Sequence, residues 1–260
     1  MAFDRATIPG ELINQIKAGN CVLFVGAGVS IGAGLPAWEV LLDQMLDWCM
    51  RRPVDLRTRP EDIRDRIHQR RLLEVAQTLR ERMGNQCFLE FLRDALSAPH
   101  LRRPSPVHLL LSEIPFSAII TTNYDKLIEN AFASHQGRVL PVYTPQDIPA
   151  MANLPGEREL YLLKVHGDVD RPETVVLGRR DYHRILYENS PFKCCFTSLW
   201  QTKTLLFVGS GFEDEDITLR LGELSEMFKG YGRWHFALMP ADPALSVWRE
   251  RFERDYHIHR

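Results

Sequence analysis

The sequence lacks any apolar run of the roughly 18 residues that a bilayer-spanning helix requires, so no membrane anchor is expected. Its opening stretch, MAFDRATIPGELINQIKAGN, has charges scattered through it and no apolar segment, which is not the pattern of a secretory leader. Neither sign of charge is in excess: 32 basic residues face 34 acidic ones, a formal net charge of −2. No overall field therefore favours direct binding to nucleic acid or to an anionic membrane. Cysteine is scarce, with five residues (Cys21, Cys49, Cys87, Cys194 and Cys195) odd in number and scattered. That argues against a disulfide framework and for a reducing, cytoplasmic setting. No internal repeat and no low-complexity linker interrupts the 260 residues. What is left is ordinary globular material, 45% hydrophobic and 25% charged, enough for one sizeable core with a smaller inserted lobe.

After a short helix-like lead over Pro9 to Ala18, CVLFVG reads as a buried strand, being short, apolar and closed by glycine. From Trp38 the pattern turns helical. WEVLLDQMLDWCM sets Val40, Leu41, Met45 and Trp48 on roughly one face, and EDIRDRIHQRRLLEVAQTLRERM and QCFLEFLRDAL continue in that style. The arginines here are matched by Glu and Asp, which predicts a solvated helix surface in preference to a nucleic-acid patch. Strands then return in SAIITTN, LYLLKVHG, TVVLG, TLLFVGSG and WHFALM. Most are near-continuous apolar runs of the kind covered on both faces of a parallel sheet. Helical stretches such as YDKLIENAFAS and DEDITLRLGELSEMFKG lie between several of them. The expected fold is α/β: a Rossmann-like open, mostly parallel sheet with helices on both faces. Residues 1–260 read as a single domain with a helical insertion at about 40–110. The closing YHIHR fits one more edge strand or the cut end of a longer chain.

Four segments at predicted strand ends carry the chemistry. In VGAGVSIGAG the glycines fall at Gly26, Gly28, Gly32 and Gly34, where backbone N–H groups can approach a pyrophosphate at a helix start. The spacing is not the dinucleotide fingerprint, since Ile31 stands where a third glycine belongs, and the Gly-Lys-Ser/Thr ending of a P-loop is missing. A tight strand-to-helix turn with no ligand is the alternative. TTNYD, VHGD and VGSGF close three further strands, and in an open α/β sheet ligands bind outside the carboxyl ends. All four ends would converge on one crevice, with His166 at one edge and Asn123 and Asp125 at another.

In this order, GAGVS…GLP, TTNYD, VHGD and VGSGF resemble the sirtuin-like (Sir2) NAD-binding fold over about Val22 to Asp216. The resemblance implies NAD as ligand. Gly26, Ala27, Gly28 and Ser30 would belong to the pyrophosphate loop, followed by Pro36 and Trp38. Thr122, Asn123 and Asp125 would meet the nicotinamide ribose, His166 would be the general base, and Gly209 and Ser210 would meet the adenosine side. The sequence also departs from deacetylase sirtuins. It has no Cys-x-x-Cys pair, so no structural zinc and no other metal is expected. Ala37-Trp38-Glu39 replaces the arginine after the Gly-Leu-Pro turn, Thr122 replaces a glutamine, and the stretch on which an acyl-lysine peptide would lie is missing. These features resemble the zinc-free Sir2-like domains of bacterial antiviral systems, which hydrolyse NAD to abort infection. VVLGRRDYHRIL is similar to a segment of that branch.

The expected function is an NAD glycohydrolase that releases nicotinamide and ADP-ribose as an abortive-infection effector in antiphage defence. It would act as a homo-oligomer, with a possible defence-system partner protein as trigger. An NAD-dependent protein deacylase and a non-catalytic NAD or ADP-ribose sensor are the alternatives. Catalysis would rest on Asn123, whose amide both donates and accepts, and on His166, whose reference pKa of about 6.5 suits a general base. Asp125 would hold the nicotinamide amide or stiffen the asparagine loop. Each residue also has a structural alternative. Asn123 could cap a helix starting near Tyr124, Asp125 could complement its dipole, and Ser30 could be a cap. Trp38 could pack the insertion onto the sheet, and Cys194–Cys195 could fill core. His108, His183, His257 and His259 have no second ligand at metal spacing.

Overall fold

A computed structural model describes residues 8–96, 103–212, 215–228, 231–239 and 252–259. Apolar runs become strands and the 3.6-residue patterns become helices. The chain order is α1 (Gly10–Lys17), β1 (Cys21–Val25), α2 (Ala27–Ile31), α3 (Trp38–Met50), α4 (Pro60–His68), α5 (Leu72–Leu96) and α6 (Pro106–Glu113). There follow β2 (Ala118–Thr121), α7 (Leu127–Gln136), β3 (Val142–Tyr143), α8 (Ile148–Met151), β4 (Leu162–Lys164), α9 (Arg179–His183) and α10 (Ser190–Thr202). The chain closes with β5 (Thr204–Val208), α11 (Glu215–Phe228), β6 (His235–Leu238) and β7 (Ile258–His259). YHIHR thus supplies an edge strand.

The seven described strands form one sheet in the order β3-β4-β2-β1-β5-β6-β7, and every pairing is parallel. The chain starts at β1, moves to the β2 side, then returns to place β5 on the other flank. That reversal is the topological switch point, where a crevice opens beyond the carboxyl ends of the strands. Successive strand residues face opposite sides: Val22, Phe24, Ile120, Leu163 and Phe207 enter one core cluster, while Cys21, Leu23, Val25, Ile119 and Leu162 enter another. Both faces are dry, which is why the strands lack polar alternation.

Between β1 and β2 the helices α3, α4 and α5 build a third core around Leu42, Met45, Leu46, Ala76 and Leu79. Truncating a leucine such as Leu46, fully buried, costs about 2–5 kcal/mol. Val40 does not share that face. It is 50% exposed, because the buried stripe runs through Leu41, Leu42, Met45, Trp48 and Cys49, leaving Val40 just off its edge. Gly84, at φ +67 inside α5, divides it into two helical pieces. The arginines of this region pair across exposed surfaces, as in Arg64 with Asp43 (3.1 Å) and Arg66 with Glu74 (2.7 Å).

TVVLG, expected as a strand, is irregular. Gly167, at φ +91, turns the chain so sharply that a Cβ there would sit 2.3 Å from the Thr174 carbonyl oxygen. Residues 174–177 therefore fold back over the end of β4, where the Val176 N–H donates to the His166 carbonyl (2.8 Å), and Val175 and Leu177 pack into the helical core. The cysteine pair is also split: Cys195 is buried, while Cys194 is exposed.

Candidate functional site at the carboxyl edge of the sheet

The glycine loop after β1 meets the loop after β5 backbone to backbone. The Gly26 N–H donates to the Val208 carbonyl and the Gly28 N–H to the Gly209 carbonyl, both at 2.9 Å. A Cβ on Gly26 would lie 2.5 Å from the Gly209 oxygen, and one on Gly209, itself at φ +67, would lie 2.7 Å from Val29. The absent side chains admit another loop of the same chain. Gly26, Gly28, Gly209 and Ser210 thus form a crossing beside the cavity described next and do not line it. The Ser210 hydroxyl accepts the Phe212 N–H at 3.3 Å.

Beyond β2, the Thr121 hydroxyl donates to the Val25 carbonyl (2.8 Å) and accepts the Asn123 N–H (3.1 Å), so the loop after β2 is tied to β1. The Asn123 Nδ2 donates to the Gly26 carbonyl (3.1 Å) and to the Ser30 hydroxyl (2.9 Å). Ser30 in turn donates to Asp125 Oδ2 (2.8 Å), and Asp125 Oδ1 accepts the Leu127 N–H (2.9 Å) at the start of α7. Both amide hydrogens of Asn123 are committed. A carbonyl can only accept, so the amide cannot turn over, and Oδ1 is its remaining polar atom. The helix here begins at Leu127, so Asn123 is not its cap; Asp125 caps its first free N–H. Ser30 lies within α2 and its proton serves Asp125, not a helix end.

A buried ammonium stiffens the same loop from behind. Lys164, fully buried at the end of β4, donates to the carbonyls of Tyr124 (3.0 Å) and Asp125 and pairs with Glu129 and Asp168, each at 3.1 Å. Lys126 joins from the other side, 3.1 Å from Asp168. Burial alone would raise the Asp168 pKa, but Lys164, the Asp170 N–H and Lys126 outweigh it and hold the carboxyl below its ordinary range. Burial likewise opposes the Lys126 charge, yet Glu129 and Asp168 raise its pKa overall.

His166, 2% exposed, follows β4, and its ring meets Tyr182 edge-on with centroids 5.1 Å apart. Tyr182 also stacks on Trp38 at 6.5 Å, and Trp38 packs against both the sheet core and the helical core. Asp181 fixes the start of α9 by accepting from the Gly178 N–H (3.0 Å) and from Arg80 on α5 (2.6 Å). Asn123 and His166, from the ends of different strands, line one cavity of about 110 Å³ with Ala27, Ser30, Pro36, Trp38, Thr122 and Asp125. Leu35, Leu41, Leu96, Tyr124 and Tyr182 complete it. Sequence reasoning passed over these five. Leu35, Tyr124 and Tyr182 had a signal in their places within GLP, TTNYD and VVLGRRDYHRIL, and Leu41 was visible only as part of a helix face. Among the described residues, no group of three or more His, Cys, Asp or Glu is placed to hold a metal ion.

A parallel, Rossmann-like α/β sheet with polar side chains gathered at its switch point defines a ligand-binding class. The particular family follows from comparison: the family model described as "SIR2-like domain" matches residues 117–259, and the chain belongs to that family. It is also similar to the NAD(+) hydrolase ThsA of Cytobacillus dafuensis, 28% identical over 236 residues, covering 91% of this chain and 44% of that protein. ThsA of Bacillus cereus (strain MSX-D12), also named NAD(+) hydrolase, is 26% identical over 88% of this chain and 45% of its own length. Defense-associated sirtuin 2 of Bacillus subtilis is 28% identical over 84% of this chain and 20% of its length. The chain thus spans less than half the length of these relatives. No helix among the described residues is long and apolar enough to cross a membrane.

Proposed function

We propose that this chain is the NAD-cleaving domain of an antiphage defence protein, hydrolysing NAD to nicotinamide and ADP-ribose to abort infection. One observation carries the reading: Asn123 and His166 reach a single cavity at the switch point of the sheet. The names of the relatives, NAD(+) hydrolase and defence-associated sirtuin, support it. We read residues 1–260 as one SIR2-like domain, acting in the cytoplasm as a homo-oligomer and triggered by a partner protein.

The cavity, at about 110 Å³, is below the roughly 300–1,000 Å³ of whole-ligand clefts, so it accepts only the nicotinamide-ribose end. In this reading Gly26, Ala27, Gly28, Gly209 and Ser210 flank the phosphates and adenosine, while Pro36, Trp38 and Thr122 flank the nicotinamide ribose. The pyridinium of NAD already carries positive charge, so nicotinamide leaves as a neutral molecule without an acid. As the bond from ribose C1′ to the ring nitrogen breaks, its electron pair goes to nicotinamide. Water adds to C1′, and His166 takes the water's proton. Asn123, its amide hydrogens held by Gly26 and Ser30, keeps Oδ1 to accept from water or a ribose hydroxyl. Asp125 stiffens the loop through Ser30 and Leu127. The test is incubation with NAD and separation of products, beside Asn123→Ala and His166→Ala. The parent is expected to release nicotinamide and ADP-ribose in equal amounts and both variants to be nearly silent; variants at the parental rate would overturn the assignment.

A further inference from the structure

Trp38 and Tyr182 line two spaces at once: the reaction cavity and a wider groove of about 480 Å³. Arg70, Arg71, Arg179 and Glu74 also line the groove. The charges there do not cancel. Glu74 is divided between Arg66 (2.7 Å) and Arg71 (2.5 Å), Arg70 pairs with Glu39, and Arg179 is exposed. Of the residues that line the groove, three are arginines and one is a glutamate. Arg70 holds φ +62, a backbone region where glycine sits without strain and arginine does not, and its side chain faces this groove. The Trp38 indole N–H is buried with no hydrogen-bond partner among the described residues.

We propose that this groove is a second binding site, for a phosphate-bearing nucleotide other than the substrate. Guanidiniums match phosphate oxygens in pairs and hold their charge at any working pH. Trp38, partly exposed and backed by Tyr182, offers an aromatic ring for a base, and the volume falls within the range that small ligands occupy. The proposal rests on the NAD reading only in placing the substrate's own phosphates at the glycine loop.

The test is calorimetric titration of the whole chain with ADP, in the parent and in Arg71→Gln and Arg179→Gln, with folding checked by circular dichroism. Each substitution is expected to weaken ADP binding about tenfold, the loss of one charge-assisted contact, while the KM for NAD stays within about twofold. Equal ADP affinity in parent and variants, or no ADP binding by the parent, overturns the proposal. A KM for NAD that rises in step with the ADP loss also overturns it, because the groove would then hold the substrate's phosphates. The titration needs no turnover, so a chain inert towards NAD would defeat the hydrolase reading and leave this result legible.

Discussion

The carboxyl and amino edges of one sheet each bury a histidine, and the two sites differ in nearly everything else. His166 follows β4, lines the cavity at the switch point and meets the edge of Tyr182. His235 begins β6 at the opposite edge; its Nδ1 accepts the Leu205 N–H at 3.1 Å, and its ring lies 3.7 Å from that of Trp200. Burial, with His257 and Arg233 adding to it, pushes the His235 imidazole down to about 3, so it stays neutral. Residue type and burial are the same in both places. The strand end on which each ring sits, and whether a cavity reaches it, separates a candidate base from a piece of core.

Deleting the two imidazoles separately tests this contrast most severely. His166→Ala is expected to lower nicotinamide release per folded molecule by about 10²–10⁴-fold. His235→Phe should retain release per folded molecule and lose about 1–3 kcal/mol of stability, because the Leu205 N–H is left without its acceptor. A rate loss as deep as that of His166→Ala would erase the distinction.

A second pair asks what the glycine crossing contributes. Gly209 and Gly84 share φ +67, but a Cβ at Gly84 meets nothing within 4 Å, while one at Gly209 meets Val29 at 2.7 Å. Gly84→Ala should cost about 1 kcal/mol of backbone strain and Gly209→Ala about 2–3 kcal/mol more, compared by urea denaturation. Equal midpoints would mean that the two loops separate easily.

The pH dependence of stability sharpens the amino edge. His235 has a folded value of about 3 against 6.5 for the free side chain, so the unfolded chain binds the proton first. Its contribution is complete above about pH 6.5 and declines as pH falls towards 3, by up to about 1.4 kcal/mol per unit. In His235→Phe the slope between pH 4.5 and 6.5 should flatten; an unchanged slope would assign it to other groups. The smallest effect is expected at Ser30. Ser30→Ala should cost about 1 kcal/mol and lower kcat, because the Asn123 amide, left with the Gly26 carbonyl alone, is less firmly fixed, with KM within about twofold. An unchanged kcat would show that Gly26 alone holds the amide.

Much of this architecture is legible in the sequence because the strands are covered on both faces. CVLFV is apolar throughout and TLLFV after its first residue, and the residues that follow each mark a strand end. Asn123 and His166 could be placed on one rim from that alone. What could not be read depends on partners distant in sequence. Nothing in VGAGVS says that its glycines admit Gly209 and not only a ligand. TVVLG has the composition of a strand, yet the turn at Gly167 turns it into a cover. Tyr182 reaches the cavity through a clamp between Asp181 and Arg80, 101 positions apart.

Lys164 has no solvent-accessible side-chain surface and is held by Tyr124, Asp125, Glu129 and Asp168. An amine-reactive reagent can therefore modify it only when β4 and the asparagine loop part. Its labelling rate, set against that of the unfolded chain, is a clock for the opening of this edge. Once labelled, the acylated side chain is too bulky and no longer charged enough to return, so each opening event is recorded as a permanent mass tag.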